Sequence, residues 1–219
     1  MSLEIEAKFL NVDINDLRSK VKKLGGKKIH KMIMYKRYVF NLLDPNEKGY
    51  IRTRDENGKI TITLKKYPPN TKYAQEFEIA LEKGSTIDDA KTILEAQGYK
   101  LKAYQESLRE KWSLSGCHEI AIDTLPGLPT YVELECKNEN EIKKLAKLLG
   151  FDIKNAKYGS FVNEYTSYYN INIDDGKHNN LTFKNIDKEL KPIDKSHKDF
   201  LVKMKQQNLD LIKLNKIKF

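Results

Sequence analysis

From Leu3 to Phe9 apolar and charged residues alternate strictly, with Leu3, Ile5, Ala7 and Phe9 on one parity and Glu4, Glu6 and Lys8 on the other. Period two is the spacing of a strand, so the stretch predicts a strand with one apolar face and one face carrying two carboxylates and an ammonium. The Glu-x-Glu pattern returns at Glu76-Phe77-Glu78 and at Glu133-Leu134-Glu135. Each of the three is followed by an amphipathic stretch that closes on glycine.

Those stretches read as helices. Asn11 to Gly26 offers Asp13 or Asn15 as a cap and Leu17, Val21 and Leu24 at helical spacing. Thr86 to Gln97 has Thr86 as a cap, Asp88 and Asp89 in its first turn, and Gly98 as a stop. Asn138 to Leu149 spaces Ile142, Leu145, Ala146 and Leu149 along one face and ends at Gly150. Between them the chain is β-rich. Ile29 to Leu43 predicts a strand, and Tyr50 to Arg54 with Lys59 to Lys66 flank Asp55-Glu56-Asn57-Gly58 as a hairpin. Tyr73 to Leu81, Leu101 to Leu114, Glu119 to Thr124 and Tyr131 to Cys136 complete the set. Many antiparallel strands with a few inserted helices predict a closed or nearly closed β architecture with helices packed outside.

The chain has 219 residues, 32% of them charged, and a formal charge of +9. This balance suits the handling of anions such as nucleic acid, phosphates or an acidic surface. Two cysteines, Cys117 and Cys136, have no metal-like spacing and make no disulfide framework. No signal-peptide pattern or membrane-length apolar run is present, so the expected setting is cytoplasmic with no membrane partner. The four histidines form no cluster and receive no catalytic role.

Strand parity sorts charge as well as hydrophobicity. Carboxylates at 4, 6, 76, 78, 123, 133 and 135 and cations at 8, 37, 52, 54, 65, 109 and 111 fall at alternate positions of consecutive strands. An open sheet under helices would leave these charges in solvent; a closed sheet would line a polar lumen with them. Such a lumen is tolerable only if it is wet and its charges are compensated, for instance by a polyanion on the Lys/Arg set and divalent cations on the carboxylates.

The ordered motifs resemble the CYTH superfamily, or triphosphate tunnel metalloenzymes. They are Glu4-Ile5-Glu6-Ala7-Lys8, Arg37-Tyr38-Val39-Phe40, Arg52-Thr53-Arg54, Thr63-Leu64-Lys65, Glu76-Phe77-Glu78, Arg109-Glu110-Lys111-Trp112, and Asp123 followed by Leu128 to Glu135. The resemblance covers about residues 1–170. It implies an α+β fold built on an antiparallel eight-stranded β-barrel, the triphosphate tunnel, with helices packed outside. By the same resemblance Lys8, Arg37, Arg52, Arg54, Lys65, Arg109 and Lys111 would bind the phosphates, and Glu4, Glu6, Asp123, Glu133 and Glu135 would hold Mg2+ or Mn2+. Glu4, Glu6 and Lys8 would be catalytic, and Glu76 and Glu78 would be metal ligands or would orient the cations. Two departures stand out. Ser107 occupies a position where relatives often carry a second cation, a loss Lys111 could make up, and the chain starts without the His-Phe pair that precedes the first motif in class IV adenylyl cyclases.

Three functions are compatible with this reading. The favoured one is a metal-dependent phosphohydrolase acting on inorganic triphosphate or a nucleoside or RNA 5′-triphosphate. The alternative is a class IV-type adenylyl cyclase making cyclic AMP and pyrophosphate, and the third is a non-enzymatic polyphosphate binder. The aromatic run Tyr158 to Tyr169 is expected to serve as core or plug. Residues 171–219 form a basic extension, expected to be helical over Asp194 to Leu214 and packed on the barrel. Its lysines also admit nucleic acid as a partner without requiring it.

Overall fold

A computed structural model describes residues 2–173, 180–191 and 193–218. His178 and most of the turn-prone stretch 170–180 lie outside the described residues.

Among the described residues ten strands form one sheet: β1 (Ser2–Glu4), β2 (Glu6–Leu10), β3 (Lys27–Phe40), β4 (Gly49–Asp55), β5 (Ile60–Lys66), β6 (Ala74–Ala80), β7 (Leu101–Leu114), β8 (Cys117–Thr124), β9 (Tyr131–Cys136) and β10 (Asn180–Leu181). Hydrogen bonding runs in the order β1-β6-β5-β4-β3-β7-β8-β9-β2, antiparallel throughout, with β10 added parallel to β7.

This corrects the expected closed, eight-stranded antiparallel barrel. The first strand is not one ladder but two: Ser2–Glu4 pairs with β6, whereas Glu6–Leu10 pairs with β9. The pairing path therefore has two ends, separated along the chain by Ile5, whose carbonyl accepts from the Cys136 amide at 3.0 Å. The first strand's split and the short parallel β10 raise the count to ten.

Among the described residues six α-helices decorate the sheet: α1 (Ile14–Lys23), α2 (Ile87–Ala96), α3 (Glu139–Leu149), α4 (Val162–Tyr169), α5 (Ile186–Glu189) and α6 (Lys195–Leu214). Their starts follow local chemistry. Asp13 accepts from the Asn15 and Asp16 amides, Thr86 and Asp89 cap each other reciprocally, and Asn138 accepts from the Glu141 amide. Gly150 ends α3 in the left-handed conformation at φ 87°, which an L side chain adopts only with strain.

The core lies outside the sheet rather than within it. Leu17 and Val21 of α1 and Ile142, Leu145, Ala146 and Leu149 of α3 cover Ala7, Phe9, Trp112, Ile120, Ile122, Val132 and Leu134. These are the apolar parities of the strands. Leu181, Phe183, Ile186, Leu190, Leu201 and Ile212 join the same cluster. A second, smaller cluster of Phe40, Ile51 and Leu94 sits under α2. Since the apolar face is used on the helix side, the charged parity must face the other way.

Glu110 pins α1 to β7 on that helix side. Fully buried, it accepts from Arg18 at 2.9 and 2.8 Å, Lys28 at 3.1 Å and the Trp112 indole at 2.8 Å.

Cys117 and Cys136, cross-strand neighbours on β8 and β9, are joined as a disulfide. This corrects the expectation that the two cysteines make no disulfide framework. Among the described residues no helix is long and apolar enough to cross a membrane.

Candidate functional site

The charged parities converge on a cavity of about 860 Å³. Glu4, Glu6, Lys8, Arg37, Arg52, Arg54, Lys65, Glu76, Glu78, Arg109, Lys111, Glu133 and Glu135 all line it. Of the predicted site residues only Asp123 does not. It is 1% exposed, and both its oxygens are held by Arg109, Nε to Oδ1 at 2.8 Å and Nη2 to Oδ2 at 2.5 Å. From there it orients the guanidinium rather than reaching the cavity.

Three arginines gather on one side of the cavity. Along β3 and β4 the register sets Arg37 opposite Arg54, and Arg52 shares the face of Arg54. Like charges directly across a ladder repel. Arg52 and Arg54 share Glu78, at 3.8 and 3.2 Å, and Arg54 also pairs with Glu56 in the hairpin turn. Among the described residues Arg37 has no carboxylate partner. Burial and the neighbouring Arg52 charge lower its pKa to about 10. The Nε of all three arginines is buried without a hydrogen-bond acceptor.

On the opposite side, β2 and β9 place Glu6 opposite Glu135 and Lys8 opposite Glu133. Lys8 reaches Glu6 at 2.5 Å and Glu133 at 3.2 Å, while Lys65 pairs with Glu4 and, at 3.5 Å, with Glu76. Burial and Glu133 push the Glu6 carboxyl up to about 7. Glu135 has no cation on it among the described residues. Burial, then the charges of Glu4, Glu119, Glu133 and Glu6, push it up to about 8. Glu133 goes the other way: burial opposes ionisation, but Lys8 and Arg109 together hold it below the usual carboxylate range.

Arg109 joins the two sides. Besides Asp123 it donates to Glu119 at 2.7 Å and lies 3.5 Å from Glu133. Lys111 pairs with Glu119, so the lysine offered as a substitute for the cation missing at Ser107 is engaged on a carboxylate. Glu76 and Glu78 sit on cations, Glu78 also accepting from Thr63 at 2.8 Å.

Sequence reasoning missed three contributors. Glu119 shares the inward parity of Asp123 and so was findable. Tyr35 shares that of Arg37 and packs its buried ring against Arg54 and Arg109, 5.1 and 5.7 Å from their guanidinium carbons. In register it faces Ser107. Glu56 sits in the turn, where no periodicity marks it.

A metal would find oxygen donors of the right kind in Glu4, Glu6, Glu133 and Glu135, because hard divalent cations take carboxylates. The uncompensated charge around Glu135 is what such an ion relieves, so the residues fit it in donor type and charge. As arranged here, with Lys8 and Lys65 on three of them, no group of three or more metal-binding side chains among the described residues is spaced to hold an ion.

Fold and site together define a class: a curled antiparallel sheet whose concave face is charged and whose convex face is buried under helices. Solved structures share the fold. The PH1012 protein of Pyrococcus horikoshii is 21% identical with a TM-score of 0.57, over 70% of this chain and 94% of that one. The PH1819 protein of the same organism is 20% identical at 0.56, over 75% and 98%. A candidate adenylate cyclase from Vibrio parahaemolyticus is 15% identical at 0.56, over 73% and 95%. At these identities the likeness is one of fold. No protein-family profile matches the sequence, and no curated protein matches it.

Proposed function

We propose that the protein is a divalent-metal-dependent phosphohydrolase, cleaving the terminal phosphate of a triphosphate bound in the charged cavity, as in the CYTH superfamily its motifs resemble. One observation carries the reading: Arg37, Arg52 and Arg54 crowd on adjacent strands, each with a buried Nε lacking an acceptor, and Arg37 lacks a carboxylate. A buried unsatisfied donor costs about 1–3 kcal/mol, more when charged. A polyphosphate supplies what is missing, since a guanidinium fork donates paired hydrogen bonds to phosphate oxygens.

In this reading Arg37, Arg52 and Arg54 clamp one stretch of the phosphate chain, and Lys8, Lys65 and Arg109 neutralise the stretch nearer the carboxylates. Asp123 and Glu119 fix the Arg109 fork. Glu4, Glu6, Glu133 and Glu135 would hold Mg2+ or Mn2+, which when bound neutralises the transferring phosphoryl and favours in-line attack by water. Lys8, tied to Glu6 and Glu133, keeps those two carboxylates in place beside the reacting group.

A second reading, cyclisation of ATP with loss of pyrophosphate, uses the same clamp. The fold shared with a candidate adenylate cyclase favours it. The experiment is incubation with ATP and, separately, inorganic triphosphate, each with Mg2+ or Mn2+ or EDTA, and chromatography of the products. Metal-dependent orthophosphate release is expected. Cyclic AMP would replace the hydrolase reading with the cyclase one, and absence of any product or binding would refute both.

A further inference from the structure

We propose that the outer edge of β6 is a self-association surface, on which a second copy of the chain pairs antiparallel through Glu78 to Ala80 about a twofold axis at Ile79. The inference does not depend on the phosphate reading.

Backbone direction shows which groups are free. The Leu81 amide donates to the Ile60 carbonyl at 2.8 Å. Hydrogen-bonded pairs alternate along an antiparallel ladder, so Phe77 and Ile79 also turn their backbone groups toward β5, whereas Glu76, Glu78 and Ala80 turn theirs away. β1 takes up that outer side only from Ala74 to Glu76. Beyond it the amides and carbonyls of Glu78 and Ala80 have no hydrogen-bond partner among the described residues.

The outward side chains of this edge are uncovered as well. Phe77 and Ile79 are 55% and 46% exposed, and Leu3 on the neighbouring β1 is 49% exposed. Leu64 and Ile62, opposite Phe77 and Ile79 on β5, are half-buried and extend the apolar stripe. α2 covers Phe40 and Ile51 farther round the sheet, and neither core cluster includes Leu3, Phe77 or Ile79. A contiguous exposed apolar stripe is the mark of a contact surface. The edge also lacks the devices that keep a strand solitary: from Phe77 to Ala80 there is no proline, no lysine and no bulge against β5. Glu78, the one charge on it, points inward and is engaged by Arg54 at 3.2 Å.

The same residues select the occupant and its register. Opposed residues of an antiparallel pair point to one side of the sheet, so a strand pairing with its own copy matches odd positions with odd and even with even. Centring the twofold on Phe77 or Glu78 calls on the outer groups of Glu76, which Ser2 already holds. A centre at Glu78 also sets two carboxylates face to face, and a centre at Ala80 sets Glu78 against Glu82. A centre at Ile79 avoids all of this. Glu78 of each copy then exchanges both backbone hydrogen bonds with Ala80 of the other, satisfying all four free groups on each strand. On the outer face Ile79 meets its own copy at a non-hydrogen-bonded position, where Cα atoms lie about 4.5 Å apart, and Phe77 lies against Leu81.

The test is sedimentation velocity of the full chain over a concentration series, alongside the variants Ile79→Lys and Ala80→Pro, and oxidative cross-linking of Ile79→Cys. The wild type is expected to be a reversible dimer whose fraction falls on dilution, since so small an interface is weak. A lysine on the edge, and a proline in place of the outward Ala80 amide, should each weaken association at least tenfold. Ala80→Pro should keep a native melting curve, because that amide makes no bond to β5. Cys117 and Cys136 are bonded to each other, so the substituted cysteine is the free thiol in each cross-linking variant. Ile79→Cys should cross-link to its copy at least tenfold faster than Ala80→Cys, whose opposed residue is Glu78. A wild-type monomer at every concentration would overturn the inference, as would a dimer that both variants leave intact, or faster cross-linking through Ala80→Cys. Should Ala80→Pro unfold, Ile79→Lys and the two cysteine variants decide. A wild-type monomer that captures a synthetic peptide of residues 76–82 would assign the edge to a foreign strand and equally overturn the pairing of copies.

Discussion

Glu135→Gln should stabilise the metal-free protein at alkaline pH and leave it nearly unchanged in acid. The Glu135 carboxyl is raised from an ordinary 4.5 to about 8, first by burial and then by Glu4, Glu119, Glu133 and Glu6. The folded state therefore holds this proton more tightly than the unfolded chain does. Stability falls as pH rises from the unfolded pKa toward the folded one, and levels off above about 8. At about 1.4 kcal/mol per pH unit the full displacement corresponds to about 5 kcal/mol. Glu135 keeps part of its contact with solvent, which reduces the expected effect to about 2–4 kcal/mol. Glutamine cannot ionise, so the variant loses this slope and gains on the wild type progressively between pH 5 and pH 8.5. Urea denaturation of both proteins at pH 5, 6.5 and 8.5 in EDTA measures the difference directly. An equal difference at all three values, or a wild type more stable than the variant at pH 8.5, would refute the crowding of carboxylates around Glu135.

Arg37→Met should weaken tripolyphosphate binding at least tenfold while leaving the ligand-free melting temperature unchanged or raised, because it removes a guanidinium set against Arg54 without a carboxylate partner; a large loss of ligand-free stability would contradict this. Glu6→Ala should abolish turnover yet weaken anion binding less than Arg54→Ala, and the opposite ranking in paired kinetic and binding assays would undo the division of roles. Arg18→Met should cost about 1–3 kcal/mol in urea denaturation, since it removes a paired donor from the buried Glu110 while Lys28 and Trp112 remain. Thiol titration of the unfolded, unreduced chain should find no free cysteine, and reduction should lower stability by about 3 kcal/mol from loop closure across a separation of 19 residues; two titratable thiols before reduction would contradict the bond.

Most of the concave face was legible because strand parity reports sidedness without needing to know how strands pair. Glu4, Glu6 and Lys8 declare a face by alternation, and so do Arg52 with Arg54 and Glu133 with Glu135. The three helices after the Glu-x-Glu strands were legible from their caps and stops. Closure was not legible, because it depends on which partner each half of the first strand takes, and Ile5 carries no local signal that the ladder changes sides there. Asp123 shows the limit of parity in another way: it has the right face and the right chemistry, but the bidentate Arg109 opposite it on the neighbouring strand decides what its oxygens do. The disulfide was missed because 19 residues of separation say nothing until β8 and β9 are paired.

The pairing of charges across the cavity also decides how its two halves communicate. Glu133 contacts both Lys8 and Arg109, and Arg109 is itself tied to Asp123 and Glu119. A phosphate oxygen that draws Arg109 or Lys8 toward itself weakens their hold on Glu133. That carboxylate, kept ionised by those same two cations, then turns its charge on Glu135 and Glu6. Their protons are correspondingly harder to lose unless a dication arrives. Anion and metal should therefore bind with positive coupling, each relieving the imbalance the other creates. Titration of tripolyphosphate at fixed Mn2+ concentrations tests this: affinity should rise with the metal by more than the metal's own binding to the free anion explains, and a strictly competitive pattern would break the argument.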